Sequence, residues 1–434
     1  VTVRDRPRVT ARGLALDVLG RCLGPDAVPA EESFAVHPGR ADLSNRDRAF
    51  ARLLIATVLR RLGQLDAVLA AFWRQRPRRQ RTLDALRLGA AQLLLLGTPA
   101  HAAVAETVGC VVPPDRGMVN AILRRVATEG QALLAAQDAP VVNTPGWLLA
   151  SWREAYGEAH ARATARAHLE PPPLDLAARD DPAALAARTG GTPLAGQTVR
   201  LAGSHVVDEL PGYDEGLFWV QDVAASLPVR LLGDVRDRRV LDLCAAPGGK
   251  TAQLAAAGAR VTAVEADPQR CRRLAANLAR LRLDAELIEA DVLSLTAERL
   301  GRFDRVLLDA PCTATGTIRR HPDIAWHKRA YDVVRLAQRQ RALLDHAAGL
   351  VRPGGLLVYA VCSLQPEEGE PIIDSVLAAR DDLVRSPVTP GELADLGLTP
   401  TASGTVRTFP FDLGEKGGMD GFFIARLQRV EGIA

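Results

Sequence analysis

One stretch limits the fold more than any other. Val240-Leu241-Asp242-Leu243 runs into Cys244-Ala245-Ala246-Pro247-Gly248-Gly249-Lys250-Thr251. A short apolar run, a proline-glycine-glycine turn and a helical pattern over Thr251 to Ala257 predict a strand, a tight loop and a helix start. Gly248 and Gly249 can adopt positive φ and let a ligand touch bare backbone. The helix start offers free N–H groups to a polar ligand. The glycines do not spell G-x-G-x-x-G, so the dinucleotide fingerprint is absent. A plain connecting loop would explain the glycines by themselves, so the neighbouring segments decide.

From Asp237 onward those segments alternate. Strands are expected at Arg239–Leu243, Arg260–Val264, Ala285–Glu289, Arg305–Leu308, Leu356–Val361 and Gly421–Leu427. Helices are expected at Thr251–Ala257, Pro268–Leu281, Tyr331–Leu350 and Glu368–Ala379. Such alternation predicts a mostly parallel sheet with helices on both faces. Ligands of such sheets bind at the carboxyl ends of the strands, where the strand order reverses. Glu265 closes the second strand, and an acid about 20 residues beyond the first loop suits the two hydroxyls of a ribose. Asp267 competes for that role, and a solvated strand terminus is the plainer alternative. Asp291 ends the third strand and can meet an adenine amino group or merely cap a turn. The fourth strand ends in Asp309-Ala310-Pro311-Cys312, the fifth in Val361-Cys362-Ser363. A lone cysteine is usually a small buried apolar residue. Two thiols and a carboxylate at predicted strand ends, beside a ligand-binding loop, point instead to chemistry.

The chain before this domain reads differently. With 434 residues it should hold two or three domains, and we divide it at 1–135, 140–235 and 236–434. The first part is helical throughout: Phe50, Leu53, Leu54, Thr57 and Val58 recur at helical spacing, as do Leu83, Leu86, Ala90, Leu93 and Leu94, and Val119, Ile122, Leu123 and Val126. Between Trp73 and Arg81 five arginines surround Pro77, a run that can hold phosphates or form a solvated loop. The middle part predicts a helix from Trp147 to Ala167, strands at Leu174–Ala178 and Thr198–Ala202, a helix at Pro182–Thr189, and a further helix at Val223–Leu231, with Gln221 and Asp222 either capping it or facing the cleft. This is a small α/β insert. The net charge is only +3, so any basic surface is local. Six scattered cysteines form no C-x-x-C pair, which argues against a zinc site or a disulfide framework. No uninterrupted 18-residue apolar run and no signal-peptide pattern is visible in the given sequence. A cytoplasmic, monomeric protein with neither metal nor membrane partner is expected.

Two resemblances sharpen this reading. Ser44 to Arg48, Pro99 to Val108 and Gly117 to Arg125 are similar to segments of the NusB-like RNA-binding domain. Cys244 to Lys250, Asp309 to Gly316, Arg319-Arg320-His321-Pro322-Asp323, and Cys362-Ser363 with Pro366-Glu367-Glu368 resemble the Nop/Sun family of RNA cytosine-5 methyltransferases, in its RsmB (Sun/Fmu) type. The implied fold class is multidomain: an all-α NusB-like bundle, the small α/β insert, and an α/β Rossmann-like methyltransferase domain. The implied donor is S-adenosylmethionine, bound by Cys244, Ala245, Ala246, Pro247, Gly248, Gly249, Lys250, Glu265, Asp291 and Asp309. The implied partner is small-subunit ribosomal RNA. Departures from the family pattern are Val361 in place of threonine, Gly369 in place of asparagine, Arg282 in place of a helix-ending glycine, and Arg179-Asp180 where an R-x-N element is usual.

The resemblance also implies roles for the thiols. Cytosine C5 is too poor a nucleophile to take a methyl group unaided, but a thiolate added at C6 makes C5 enamine-like. Cys362 is the implied nucleophile, and Cys312 the group that assists proton removal and release. Lys250 and Arg319 are candidates for lowering a thiol pKa or holding phosphate. Asp309 can serve the cofactor, the cytosine edge or both. Three rivals stand beside this reading. An amino-group methyltransferase typically has a D/N-P-P-aromatic loop where this chain has Asp309-Ala310-Pro311-Cys312. A DNA cytosine methyltransferase would use Cys312 as nucleophile and leave Cys362 unexplained. A noncatalytic RNA binder would need neither thiol.

Overall fold

The computed structural model describes residues 9–203 and 205–430. Two compact units divide them. One runs up to Glu170 and includes Ile318–Lys328; the other comprises Pro171–Thr317 and the chain from Arg329 onward.

The first unit is helical, as the 3.6-residue spacing predicts. Its main helices are Ala11–Cys22, Asn45–Arg60, Leu62–Ala70, Gln80–Leu94, Ala100–Gly109, Pro113–Ala135 and Gly146–Ala167. Thr10 and Ser44 cap two of them by accepting from Gly13 N–H and Asp47 N–H. Leu14, Leu19, Leu54, Val58, Leu86, Val119 and Leu123 meet in one core. Leu53, part of the expected stripe, is half-exposed; Ile55 and Leu59 take the buried face instead. The segment 318–328 is bonded into this unit: Arg60 donates to the Arg319 carbonyl at 2.6 Å, Trp326 Nε1 to the Leu59 carbonyl at 2.7 Å, and Ala30 N–H to Asp323 at 3.1 Å. In the arginine run, Arg79 pairs with Asp115 and Arg81 with Asp17, whereas Arg74, Arg76 and Arg78 are exposed.

The second unit opens with an antiparallel sheet of β1 (Leu174–Ala178), β2 (Thr192–Pro193), β3 (Thr198–Leu201) and β4 (Phe218–Val220), in the order β2-β3-β1-β4. Beta-2 and β4 were not expected. The first is two residues long, and the second lies in the Trp219-Val220 stretch read only as a lead-in to a helix. Asp222 caps that helix by accepting from Ala224 N–H, and Gln221 is buried, accepting from Trp219 Nε1 at 2.8 Å. Inside this sheet Arg200 grips Asp175 with two bonds of 2.7 Å and donates to the carbonyls of Lys416 and Gly418. Arg179 donates to Asp180 and to the Leu281 carbonyl.

The large sheet contains β5 (Arg239–Leu243), β6 (Arg260–Glu265), β7 (Glu286–Glu289), β8 (Phe303–Asp309), β9 (Val351–Val361), β10 (Leu383–Arg385), β11 (Val406–Arg407) and β12 (Phe423–Arg429). The order is β10-β12-β9-β8-β5-β6-β7, with β11 on β12. Pairs among β5 to β9 are parallel, and those of β12 are antiparallel. The chain builds outward from β5 through β6 to β7, then returns to β5's other side with β8. Order therefore reverses between β5 and β8, which sets a ligand crevice at their carboxyl ends. Strands β10 and β11 escaped sequence reading because each is short and borrows its order from β12.

The helix Pro268–Leu281 ends at Arg282 with φ 55° and ψ 45°, the left-handed conformation that glycine adopts without strain. A side chain there costs about 1 kcal/mol. Arg282→Gly is expected to raise unfolding free energy by about 0.5–1 kcal/mol, after allowance for the greater freedom of glycine in the unfolded chain. Urea unfolding checks this, and a loss of stability would mean that the arginine side chain supplies more than its strain removes.

Candidate active site

Strand ends assemble the site. Beta-5 delivers the loop 244–249, in which Cys244 (φ 60°) and Gly248 (φ 104°) hold left-handed conformations. A Cβ on Gly248 would be strained by that φ and would also meet the tip of the Leu274 side chain, Cδ1, at 2.4 Å. The helix Gly249–Ala256 then begins with its N-terminus at the crevice. Beta-6 delivers Glu265, buried, which accepts from Ala246 N–H at 3.2 Å and Asp267 N–H at 3.1 Å. Asp267 itself caps the following helix through Gln269 and Arg270 N–H. The carboxylate that faces the loop is therefore Glu265. Asp291, just past β7, is exposed; it caps a short turn through Leu293 N–H at 3.0 Å and lies 3.4 Å from Arg339. Asp309, at the end of β8, accepts from Lys250 Nζ at 2.7 Å.

These groups suit a nucleoside-containing sulfonium amino acid. Glu265 offers a carboxylate for hydroxyls, Asp291 and Asp309 offer negative charge to an amino or cationic group, and the loop offers backbone without a Cβ at Gly248. Burial by itself would lower the Lys250 ammonium, but Asp309 outweighs it and the net shift is upward. The Lys250 ammonium also lies near Cys362.

The two cysteines are in contact. Beta-8 and β9 pair in parallel with Asp309 opposite Ala360, and beyond this register Cys312 Sγ lies 3.5 Å from Cys362 Sγ. Both are partly exposed. The bond to Cys362, reinforced by burial and by the neighbouring charge, holds the Cys312 thiol well above its ordinary pKa. Gly316 N–H donates to the Cys362 carbonyl at 3.0 Å, and a Cβ on Gly316 would sit 1.9 Å from the Gly421 carbonyl oxygen. Only glycine brings that backbone against Cys362.

Arg319, an expected partner of these thiols, belongs to the first unit and is buried there. Cys244 is pushed up to about 12 by burial, with Asp309 and Glu265 adding to the effect. Gly369 leaves room for Arg407: a Cβ there would meet Arg407 Nη2 at 2.8 Å, and Arg407 donates to the Ser363 carbonyl at 2.6 Å. Among the described residues no group of three metal-ligating side chains occurs, and no helix is long and apolar enough to cross a membrane.

Fold and site together define a Rossmann-like methyltransferase with a helical domain before it. Residues 229–428 match the model of the 16S rRNA methyltransferase RsmB/F family, and residues 9–128 match the NusB family. The chain is 39% identical over 415 residues to ribosomal RNA small subunit methyltransferase B of Klebsiella pneumoniae, covering 90% of this chain and 92% of that one. It is 37% identical over 448 residues to the protein of the same name from Pseudomonas putida, covering 98% of each. The crystal structure of PH0851 has a TM-score of 0.75 at 21% identity, covers 98% of this chain and all of that one, and shares the fold. The chain belongs to the ribosomal RNA small subunit methyltransferase B family, whose members depend on S-adenosylmethionine.

Sequence reading passed over Asp242, although an acid inside an apolar strand is a visible signal. It is fully buried; Oδ2 accepts from the Thr251 hydroxyl at 2.6 Å, and Oδ1 has no hydrogen-bond partner among the described residues. Burial raises its carboxyl to about 7, despite the Thr251 bond and the Lys250 charge. An unfolded aspartate titrates near about 3.9. Between those values the native state keeps a proton that the unfolded chain has released, so this group's contribution is full below the lower value and is lost as pH rises through the upper. Over that window stability should fall by up to about 1.4 kcal/mol per pH unit. Asp242→Asn is expected to flatten the dependence of unfolding free energy on pH between about 5 and 7. An unchanged slope would show that Asp242 does not titrate there.

Proposed function

We propose that this protein transfers a methyl group from S-adenosylmethionine to C5 of a cytosine in small-subunit ribosomal RNA, through a covalent bond between Cys362 and C6. One observation carries the reading: two thiols 3.5 Å apart at adjacent strand ends. An amino-group methyltransferase has no use for such a pair.

When bound, S-adenosylmethionine supplies an electrophilic methyl group. The loop 244–250, Glu265, Asp291 and Asp309 hold it: Glu265 at the ribose, Asp291 at the adenine, and Asp309 toward the cofactor, the cytosine edge or both. Cys362 gives up its thiol proton to solvent and adds to C6, and the C5=C6 electrons become available at C5. After methylation the C5 proton passes to water, directly or by way of the Cys312 sulfur, its bonding electrons re-form C5=C6, and the bond from sulfur to C6 breaks to release Cys362 as a thiolate. Cys312 assists this second half. With its sulfur 3.5 Å from that of Cys362, it assists both removal of the C5 proton and release of the nucleophile. The bundle over 1–135 supplies RNA affinity, with Arg74, Arg76 and Arg78 as phosphate contacts; the division into 1–135, 140–235 and 236–434 follows these roles.

Alanine variants separate the assignments. Cys362→Ala is expected to abolish methylation and form no adduct. Cys312→Ala is expected to add to C6, transfer the methyl group and then stall, so that protein accumulates as a covalent complex with methylated RNA on a denaturing gel. On RNA that the wild-type protein methylates, a trapped complex from Cys362→Ala and none from Cys312→Ala would overturn the assignment.

A further inference from the structure

Each cysteine is followed by a hydroxyl residue, Thr313 after Cys312 and Ser363 after Cys362, and both hydroxyl residues are wholly buried. One carboxylate joins them. Glu368 Oε1 accepts from Thr313 N–H at 2.9 Å and from Gln340 Nε2 at 2.8 Å, while Oε2 accepts from the Thr313 and Ser363 hydroxyls at 2.5 Å each. Glu368 is also completely buried, and its own carbonyl accepts from the Tyr359 hydroxyl at 2.9 Å. A carboxylate removed from water costs several kcal/mol unless its oxygens are satisfied. Here four donors from three separate segments satisfy them. Gln340 also donates to the Pro311 carbonyl at 3.0 Å, immediately before Cys312.

We propose that Glu368 is the positioning residue of the thiol pair: its carboxylate ties the residue after each cysteine to one point and thereby sets the distance between the two sulfurs. This rests on the reading that both thiols act on one cytosine. The geometry explains why an acceptor on both oxygens is needed. A glutamine could keep Thr313 N–H and Gln340 on its carbonyl oxygen, but its amide would face two hydroxyls as a donor. The Ser363 hydroxyl already accepts from Gln365 N–H, so it could adapt only in part. Alanine would leave Thr313 N–H and both hydroxyls without their shared acceptor.

The test uses the full chain with Glu368→Gln and Glu368→Ala, and three readouts. The first is kcat and KM on RNA that the wild-type protein methylates. The second is the rate at which diamide, a thiol oxidant, joins Cys312 to Cys362, followed by peptide mass spectrometry. The third is the thermal unfolding midpoint. Displacement of reacting groups by about 1 Å can cost about 100-fold in rate. Glu368→Ala is therefore expected to lose about 100-fold in kcat with KM nearly unchanged, and to form the 312–362 disulfide at least about tenfold more slowly. Glu368→Gln should fall between, and it carries the test if the alanine variant does not fold. Folded variants with wild-type kcat and wild-type disulfide rate would overturn the proposal. So would a loss of activity that follows the unfolding midpoint while the disulfide rate stays unchanged. The disulfide rate needs no RNA, so it reports on Glu368 even if methylation proves to proceed without a cysteine adduct.

Discussion

The parallel pairing of β8 with β9 is the constraint on which the rest of the site depends. Side chains alternate along a strand, so a slip of one residue would turn every one of them to the opposite face. With Asp309 opposite Ala360, the two strands end together and their continuing loops bring Cys312 against Cys362. Neither loop holds this arrangement alone. Gly316 reaches the Cys362 carbonyl only because it and Gly421 approach without side chains, and Glu368 fastens both loops from beneath. The reversal of strand order between β5 and β8 then places the glycine loop beside the thiols, with Lys250 and Asp309 as the charged link between them.

This arrangement buries polar groups that an ordinary core would exclude. Asp242, Glu368, Thr313, Ser363 and Gln340 are all buried at or near the carboxyl ends of the central strands. Most are satisfied by one another, which makes the region rigid as well as polar. Asp242 is the exception, with one oxygen lacking a partner and its carboxyl raised to about 7. The thiol pair shows the same principle on a smaller scale. Contact with Cys362 raises the Cys312 thiol, while the Lys250 ammonium lies near Cys362, so two chemically identical groups have different surroundings.

Much of this was legible in the sequence. The helix Pro268–Leu281 and the strands Arg239–Leu243 and Leu174–Ala178 fall where periodicity places them, because each has a strong local pattern and clear stops. The loop, the two thiols and the acids at strand ends were visible as residues in order. Short strands such as β2, β10 and β11 were not, since their order comes from the partner they pair with. Arg319 was read as a candidate for lowering a thiol pKa or for holding phosphate; the segment 318–328 that carries it folds into the helical unit, held by Arg60, Leu59 and Ala30. Sequence order gives no sign of such an excursion. The linking role of Glu368 was equally hidden: Gln340 and Thr313 lie 28 and 55 residues away from it in the chain.

The central claim is that Cys362, and not Cys312, forms the bond to the base. The most direct measurement uses small-subunit RNA in which cytosine is replaced by 5-fluorocytosine. Fluorine at C5 cannot leave as a proton does, so the wild-type protein should stop after methyl transfer with its nucleophile still bonded to C6. Protease digestion and mass spectrometry of that complex identify the cysteine. The account predicts a methylated fluorocytosine adduct on the peptide that contains Cys362. An adduct on the Cys312 peptide, or full methylation of ordinary RNA with no adduct on the fluorinated RNA, would contradict it.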